Sequence, residues 1–177
     1  MNVVVDAIKF ATKAHLGQRR KYTGEPYIVH PTEVAKILID HGYGSLEQLI
    51  AAAYLHDTVE DCGVKFEQIA DVFGFQVAKI VYWLSDFTDA KHGVRSLRSS
   101  LEVEKFRHAP YFAKLVKLAD IVSNCKSICE HDPKFAEVYL AEKREIVRAI
   151  GETFDEESSL WLAAASITKI KQEEPNE

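Results

Sequence analysis

The sequence is short of the features that mark secreted, membrane-spanning or nucleic-acid-coating proteins. Three cysteines occur in 177 residues, Cys62, Cys125 and Cys129. An odd count without CxxC spacing argues against a disulfide framework and fits a reducing compartment. No run approaches the roughly 20 consecutive apolar residues of a membrane span, and Asp6 interrupts the opening MNVVVDAIKF where a secretory signal would stay apolar. A cytoplasmic protein is expected. Positive charge is in deficit, with 22 Lys and Arg against 27 Asp and Glu, a formal net charge of -5. That balance opposes non-specific attraction to nucleic acid or to an anionic membrane, so neither is expected as a partner, although a local basic pocket is compatible with it. Internal repeats, low-complexity linkers and two-residue alternation between hairpin signals are all missing.

What is present is 47% apolar and 10% aromatic residues, enough for one core in a chain about one domain long. The apolar pattern is helical. Val3, Val4, Ala7, Ile8, Phe10, Ala11 and Ala14 recur at helical spacing over 3–16, and QRRKYTGEP then breaks the pattern with Gly24 and Pro26. His30-Pro31 opens a second periodicity, Val34, Ala35, Ile37 and Leu38, with Pro31 expected at the first helical position. Ser45 and Gln48 have capping-box spacing, so a third helix is expected to run to about Asp61. Further helices are expected over 64–72, 74–84, 98–107, 110–129, 133–150 and 156–171. The fold class is therefore all-α, one domain over 1–171 with a polar tail over 172–177. Cys125 and Cys129, one helical turn apart, read as buried thiols ahead of a metal or redox pair.

Two helical segments carry acids where apolar residues are due. In AAAYLHDTVED, residues 51–61, a helix continued to its end pairs His56 with Glu60 and Asp57 with Asp61 one turn apart, so one edge holds an imidazole and three carboxylates. Such acids repel one another unless a cation or a shared proton relieves them; a solvated helix end is the plainer alternative. In AKLVKLADIVSN, residues 113–124, Asp120 interrupts an almost wholly apolar helix, with Asn124 one turn beyond. A buried acid there requires a metal or a base, and Lys117 could serve as that base. His30, in PYIVHPTEV, could cap a helix or sit satisfied in the core. Taken together, His30, His56, Asp57 and Asp120 form a mixed nitrogen and oxygen set without thiolate, suited to a first-row divalent ion.

The order H, HD, D resembles the signature of the HD phosphohydrolase superfamily. GQRRKYTGEPYIVHP, AAAYLHDTVED, LSD and VKLADIVSN resemble the hydrolase domain of RelA/SpoT-type alarmone enzymes, from about Ala7 to about Ile150. The resemblance is to the small stand-alone hydrolases, so alarmone synthesis is not expected. It implies a single HD-domain helical bundle. It also implies Mn2+-dependent removal of the 3′-pyrophosphate of ppGpp and pppGpp, leaving GDP or GTP, with a guanine nucleotide alarmone as substrate. On the matching positions, His30, His56, Asp57 and Asp120 are metal ligands and Glu60 and Asp61 are the acidic pair associated with hydrolysis. Arg20 and Lys21 contact the nucleotide, and Asn124 the sugar region. Tyr139, Lys126 and Ser127 are further nucleotide contacts. The segment after LSD departs from the family, offering Lys91, Arg95 and Arg98 followed by Ser99 and Ser100 where relatives carry more bases. Two other readings stand beside the leading one: a phosphatase for another nucleotide, such as the 2′-phosphate of NADPH or a 5′-nucleotide, and a non-catalytic nucleotide-binding regulator.

Overall fold

A computed structural model describes residues 2–86, 94–154 and 158–169. Among the described residues the regular structure is helical, and the one extended pairing is an isolated antiparallel bridge between Arg19 and Pro26. The helices are α1 (Val3–Ala14), α2 (Val29–Leu38), α3 (Glu47–Leu55), α4 (Thr58–Cys62), α5 (Phe66–Phe73), α6 (Phe75–Leu84), α7 (Arg95–His108), α8 (Tyr111–His131), α9 (Pro133–Gly151) and α10 (Ser159–Ile167). The all-α expectation holds. The 172–177 tail and Lys91 lie outside the described residues. No helix of the described residues is long and apolar enough to cross a membrane.

The core is organised around α8, whose Leu115, Val116, Leu118, Ala119 and Ile121 have no exposed surface. Helices α2, α6, α9 and α10 pack on it. Beside it, α3 is apolar almost throughout, and its run Ala51-Ala52-Ala53 is fully buried, as are Ala7 and Ala11 of the adjacent α1. Small side chains on both helices let the backbones approach closely, so packing rather than propensity fixes this corner. Because α2, α3 and α8 pack on one another in all three pairings, residues at their facing surfaces are brought to one point.

Several boundaries differ from the sequence expectation for identifiable reasons. The third helix stops at Leu55 instead of continuing to Asp61. His56 Nδ1 lies 2.8 Å from the Ala53 carbonyl and Thr58 Oγ1 donates to the Leu55 carbonyl at 2.7 Å. These side chains take acceptors left open where a helix ends. Asp57 sits at φ -94° and ψ -6°, in the sparsely populated region between helix and strand, and α4 then runs only to Cys62 before Gly63 closes it at φ +68°. Ser45 does not cap: α3 starts from Leu46 without a side-chain cap. Pro31 lies two residues inside α2, which begins at Val29, still within the first turn where a missing N–H costs nothing. Helix α7 begins three residues earlier than expected, and α10 spans Ser159–Ile167, Ser158 capping its start; residues 156–157 and 170–171 of its expected range lie outside the described residues.

Candidate metal centre and its cavity

The break between α3 and α4 gives His56 and Asp57 to the same space that His30 enters from α2 and Asp120 from α8. His30 Nε2 is 3.3 Å from Asp120 Oδ1 and 3.6 Å from Asp57 Oδ2. His56 Nε2 is 3.1 Å from Asp57 Oδ2 and 4.0 Å from Asp120 Oδ1. Donor atoms of His30, His56 and Asp57 all lie within 4.8 Å of one another, a span that one divalent ion with ligand distances near 2 Å can bridge.

The protons on these rings follow from their partners. The Ala53 carbonyl can only accept, so His56 Nδ1 carries the hydrogen and Nε2 keeps its lone pair. For His30, Nδ1 meets Ser123 Oγ at 3.1 Å, and Ser123 in turn donates its hydroxyl hydrogen to Glu33 Oε2 at 2.7 Å. Ser123 can therefore accept from His30 Nδ1, and His30 Nε2 is likewise left with a lone pair. His56 Nε2 is buried and has no hydrogen-bond partner among the described residues. Two lone pairs facing two carboxylates are mutually repulsive unless a cation stands between them, and the second partner on each ring is the usual companion of a metal-binding histidine. The residues fit a metal.

Without an ion, protons supply the missing charge. Burial alone would lower the His56 pKa, but Asp57, followed by Asp120, raises it to about 9. Burial pushes Asp57 up, yet His56 and His30 outweigh it and bring it to about 2. Tyr27, which donates its hydroxyl to Asp57 Oδ2 at 2.8 Å, has its pKa pushed far up by burial and by Asp57, so it remains a donor at any ordinary pH.

The cluster opens into a cavity of about 350 Å³. Asp57, Glu60, Asp86, Glu102 and Asp120 line it together with Lys105, Lys117 and Lys143. The excess of carboxylates over ammonium groups favours a cation there. Glu60 accepts the backbone N–H of Asp86 at 3.0 Å. Crowding by protein raises its pKa above the ordinary value, the Asp86 N–H opposes that, and repulsion from Asp57 adds to it.

The remaining candidates divide. Asn124 and Tyr139 line the cavity, and Asn124 donates to Asp120 Oδ1 at 2.5 Å. Asp61 does not line it, accepting instead from Gln18 Nε2 at 2.8 Å. Arg20 stands at the rim, with its guanidinium 3.5 Å from Asn124 Oδ1 and 5.9 Å from the Tyr27 ring. Lys21 turns to Tyr22, 4.8 Å from that ring. Lys126 is exposed, and the Ser127 carbonyl accepts from His131 within α8; neither reaches the cavity wall. Arg95 is paired with Glu142 through two bonds of 2.6 and 2.9 Å. The cysteines take no part in the cluster: Cys62 packs beside His15, its thiol pushed up to about 11 by burial, and burial raises Cys125 to about 12, whereas Cys129, expected to be buried with it, is exposed.

Sequence reasoning passed over Tyr27, Ser123, Glu102, Lys105 and Lys143, and took Lys117 only as an alternative partner for Asp120. Lys117 does approach Asp120 Oδ2, at 3.4 Å, so the base and the metal reading of that acid coexist. Spacing could have found Ser123, three residues after Asp120 on α8, and Tyr27, three before His30. No local signal points to Glu102 or Lys143, which arrive from α7 and α9.

An α-helical bundle that gathers a histidine, a His-Asp pair and a distant aspartate around one point is the architecture of an HD domain, and residues 7–154 match the HD-domain family model. The guanosine-3′,5′-bis(diphosphate) 3′-pyrophosphohydrolase MESH1 of Danio rerio is 41% identical over 133 residues, spanning 75% of this chain and 72% of that protein. The MESH1 of Homo sapiens is 38% identical over 132 residues, 74% and 72% of the two chains. A solved structure described as a metazoan ortholog of SpoT that hydrolyzes ppGpp superposes with a TM-score of 0.79 at 26% identity, covering 96% of this chain and 95% of the other. The chain belongs to the HD-domain family and, within it, to the MESH1 group.

Proposed function

We propose that this protein is a guanosine-3′,5′-bis(diphosphate) 3′-pyrophosphohydrolase, releasing pyrophosphate from ppGpp and pppGpp and leaving GDP or GTP. The observation that carries the reading is the convergence of His30, His56, Asp57 and Asp120, with a buried, unpartnered His56 Nε2, in a chain of the MESH1 group. These four residues would hold Mn2+. When bound, such an ion supplies a water whose pKa falls from 15.7 towards about 7 and a positive charge for phosphoryl oxygens.

The chain's own residues do the rest. Glu60 projects into the cavity, and its raised pKa makes it a better proton acceptor than an ordinary carboxylate. Asp61, held by Gln18, acts through the position of α4 and the local negative field. Tyr27 and Asn124 hydrogen-bond Asp57 and Asp120 and so fix which carboxylate oxygens face the centre. Asn124 and Tyr139 provide the wall for the nucleotide, Arg20 and Lys21 the rim charge, and Lys126 and Ser127 the outermost contacts. The work is that of a cytoplasmic enzyme acting on a small molecule.

One observation favours a second reading. Of the three lysines on the cavity wall, Lys117 and Lys143 share the Glu102 carboxylate, and Arg95, off that wall, is paired with Glu142; the reduced positive charge suits a nucleotide with fewer phosphate charges, such as NADPH at its 2′-phosphate. Assay of ppGpp, pppGpp, NADPH and nucleoside monophosphates with Mn2+ separates the two. Pyrophosphate release from ppGpp is expected; orthophosphate from NADPH with no turnover of ppGpp would overturn the leading reading, and no turnover of any substrate would favour a binding protein.

A further inference from the structure

Three helices meet on the cavity wall through a single carboxylate. Glu102 of α7 receives Lys117 of α8 on Oε1 at 2.9 Å and Lys143 of α9 on Oε2, also at 2.9 Å. Both lysine side chains are nearly buried, 12% and 13% exposed, and Glu102 is 26% exposed. Burial pushes the Glu102 carboxyl up, but Lys117 and Lys143 together bring it to about 2, so it is charged throughout the working range.

Lys117 is also three residues before Asp120 on the same helix, a spacing that by itself brings an ammonium group onto a carboxylate. In the structure the two oxygens of Asp120 are divided. Oδ1 faces His30 and His56, while Lys117 reaches only Oδ2, and at 3.4 Å against 2.9 Å to Glu102. An ammonium group fully bonded to a ligand carboxylate withdraws its lone pairs and adds a positive charge beside the ion, both of which weaken metal binding.

We propose that Glu102 is a positioning residue that draws Lys117 away from Asp120 and so keeps the Asp120 carboxylate available as a metal ligand. Lys143 takes the other oxygen of Glu102 and leaves Oε1 to Lys117. The inference rests on the reading of the His/Asp cluster as a metal centre.

The test is Mn2+ binding to the metal-stripped full chain, measured by calorimetric titration without substrate. Wild-type protein is expected to bind one ion; absence of binding would remove the metal reading itself. Given wild-type binding, Glu102→Gln is expected to weaken Mn2+ affinity about tenfold, while Glu102→Gln in a Lys117→Met background is expected to change it less than about twofold, because the competing ammonium is gone. Lys143→Met, which leaves the Glu102 to Lys117 bond in place, should stay within about twofold of wild type. Unchanged affinity in Glu102→Gln, an equal loss in both backgrounds, or an equal loss in Lys143→Met would each overturn the proposal and reduce the trio to a tie between helices. Thermal unfolding of each metal-free variant separates a fold defect from a binding defect, and if Glu102→Gln does not fold, Glu102→Asp takes its place with the same expected dependence on Lys117.

Discussion

Around the His/Asp cluster, each polar side chain has its orientation set by a partner. His30 is held by Ser123, itself bonded to Glu33, His56 by the Ala53 carbonyl, Asp57 by Tyr27, and Asp120 by Asn124. At the rim, Arg20 makes long contacts, 3.5 Å to Asn124 and 5.9 Å to the Tyr27 ring, Lys21 leans on Tyr22, and Lys126 projects from α8. The first region is preorganised and the second is adaptable. That is the division expected when an ion of fixed geometry must be held in a constant place while a larger ligand enters and leaves.

The largest effect should come from the preorganised region. His56→Ala removes an Nε2 that faces the centre and should abolish both Mn2+ uptake and hydrolysis, measured by elemental analysis and pyrophosphate release. Retention of a full equivalent of metal would place the ion elsewhere and break the contrast at its root. Glu60→Gln should keep the metal and lower kcat by about 10²- to 10⁴-fold, the range for loss of a general acid or base. Metal loss in that variant would move Glu60 into the ligand set. Ser123→Ala frees His30 Nδ1 and should weaken Mn2+ binding by about 10- to 100-fold, as is usual when the group orienting a metal-binding histidine is lost.

The pH dependence of the metal-free chain probes the same region. His56 has its pKa raised from 6.5 to about 9 in the folded protein. The stability this contributes is full below about 6.5 and lost as pH rises through about 9. Protein stripped of metal should therefore melt at a lower temperature near pH 9.5 than near pH 6.5, while Mn2+, which must displace the same proton, should bind more tightly as pH rises over that interval. A flat melting profile would show that the carboxylates are not holding a proton on the ring.

At the rim, the effects should be smaller and fall on KM. Replacing Arg20 and Lys21 together by Ala should raise KM for ppGpp by at least about tenfold, one charge-assisted contact being worth about 1.5–3 kcal/mol, with kcat and metal content little changed. Arg20→Lys sharpens the point. The Arg20 guanidinium lies 5.9 Å from the centre of the Tyr27 ring, and a lysine keeps the charge but loses the planar, multiply donating guanidinium. Lys126→Ala, at the outermost of the proposed contacts, should raise KM by no more than about twofold; a larger loss would bring that contact closer to the nucleotide than the exposed position of Lys126 suggests.

The same contrast explains what could be read from the amino acids. In the His/Asp cluster, Asp57, His56 and Asp120 were legible because they break a local rule: Asp120 interrupts the apolar run of α8, and His56-Asp57 ends an alanine-rich buried helix. The all-α fold and its core followed from periodicity in the same way. The stop at Leu55 was not legible, since it depends on His56 and Thr58 bonding backwards to carbonyls where spacing alone suggests a continuing helix. Glu102 and Lys143 were also hidden. A charged residue on α7 or α9 reads as a solvated face, and only the packing of three helices turns these residues inward. Lys126 and Ser127 show the reverse: matching positions nominated them, and the structure keeps both off the cavity wall.

The break at His56-Asp57 also dictates what kinds of change the gene can tolerate. Each residue of an α-helix advances the next by about 100°, so one codon inserted or deleted within α3 would swing His56 and Asp57 away from α2 and α8 together. Substitution among small apolar residues at Ala51, Ala52 and Ala53 would leave their bearing unchanged. The stretch ahead of the centre thus tolerates exchange among small residues but no change in length, whereas the QRRKYTGEP loop, which carries the rim residues Arg20 and Lys21 and none of the four proposed ligands, can absorb an insertion around Gly24 without displacing them.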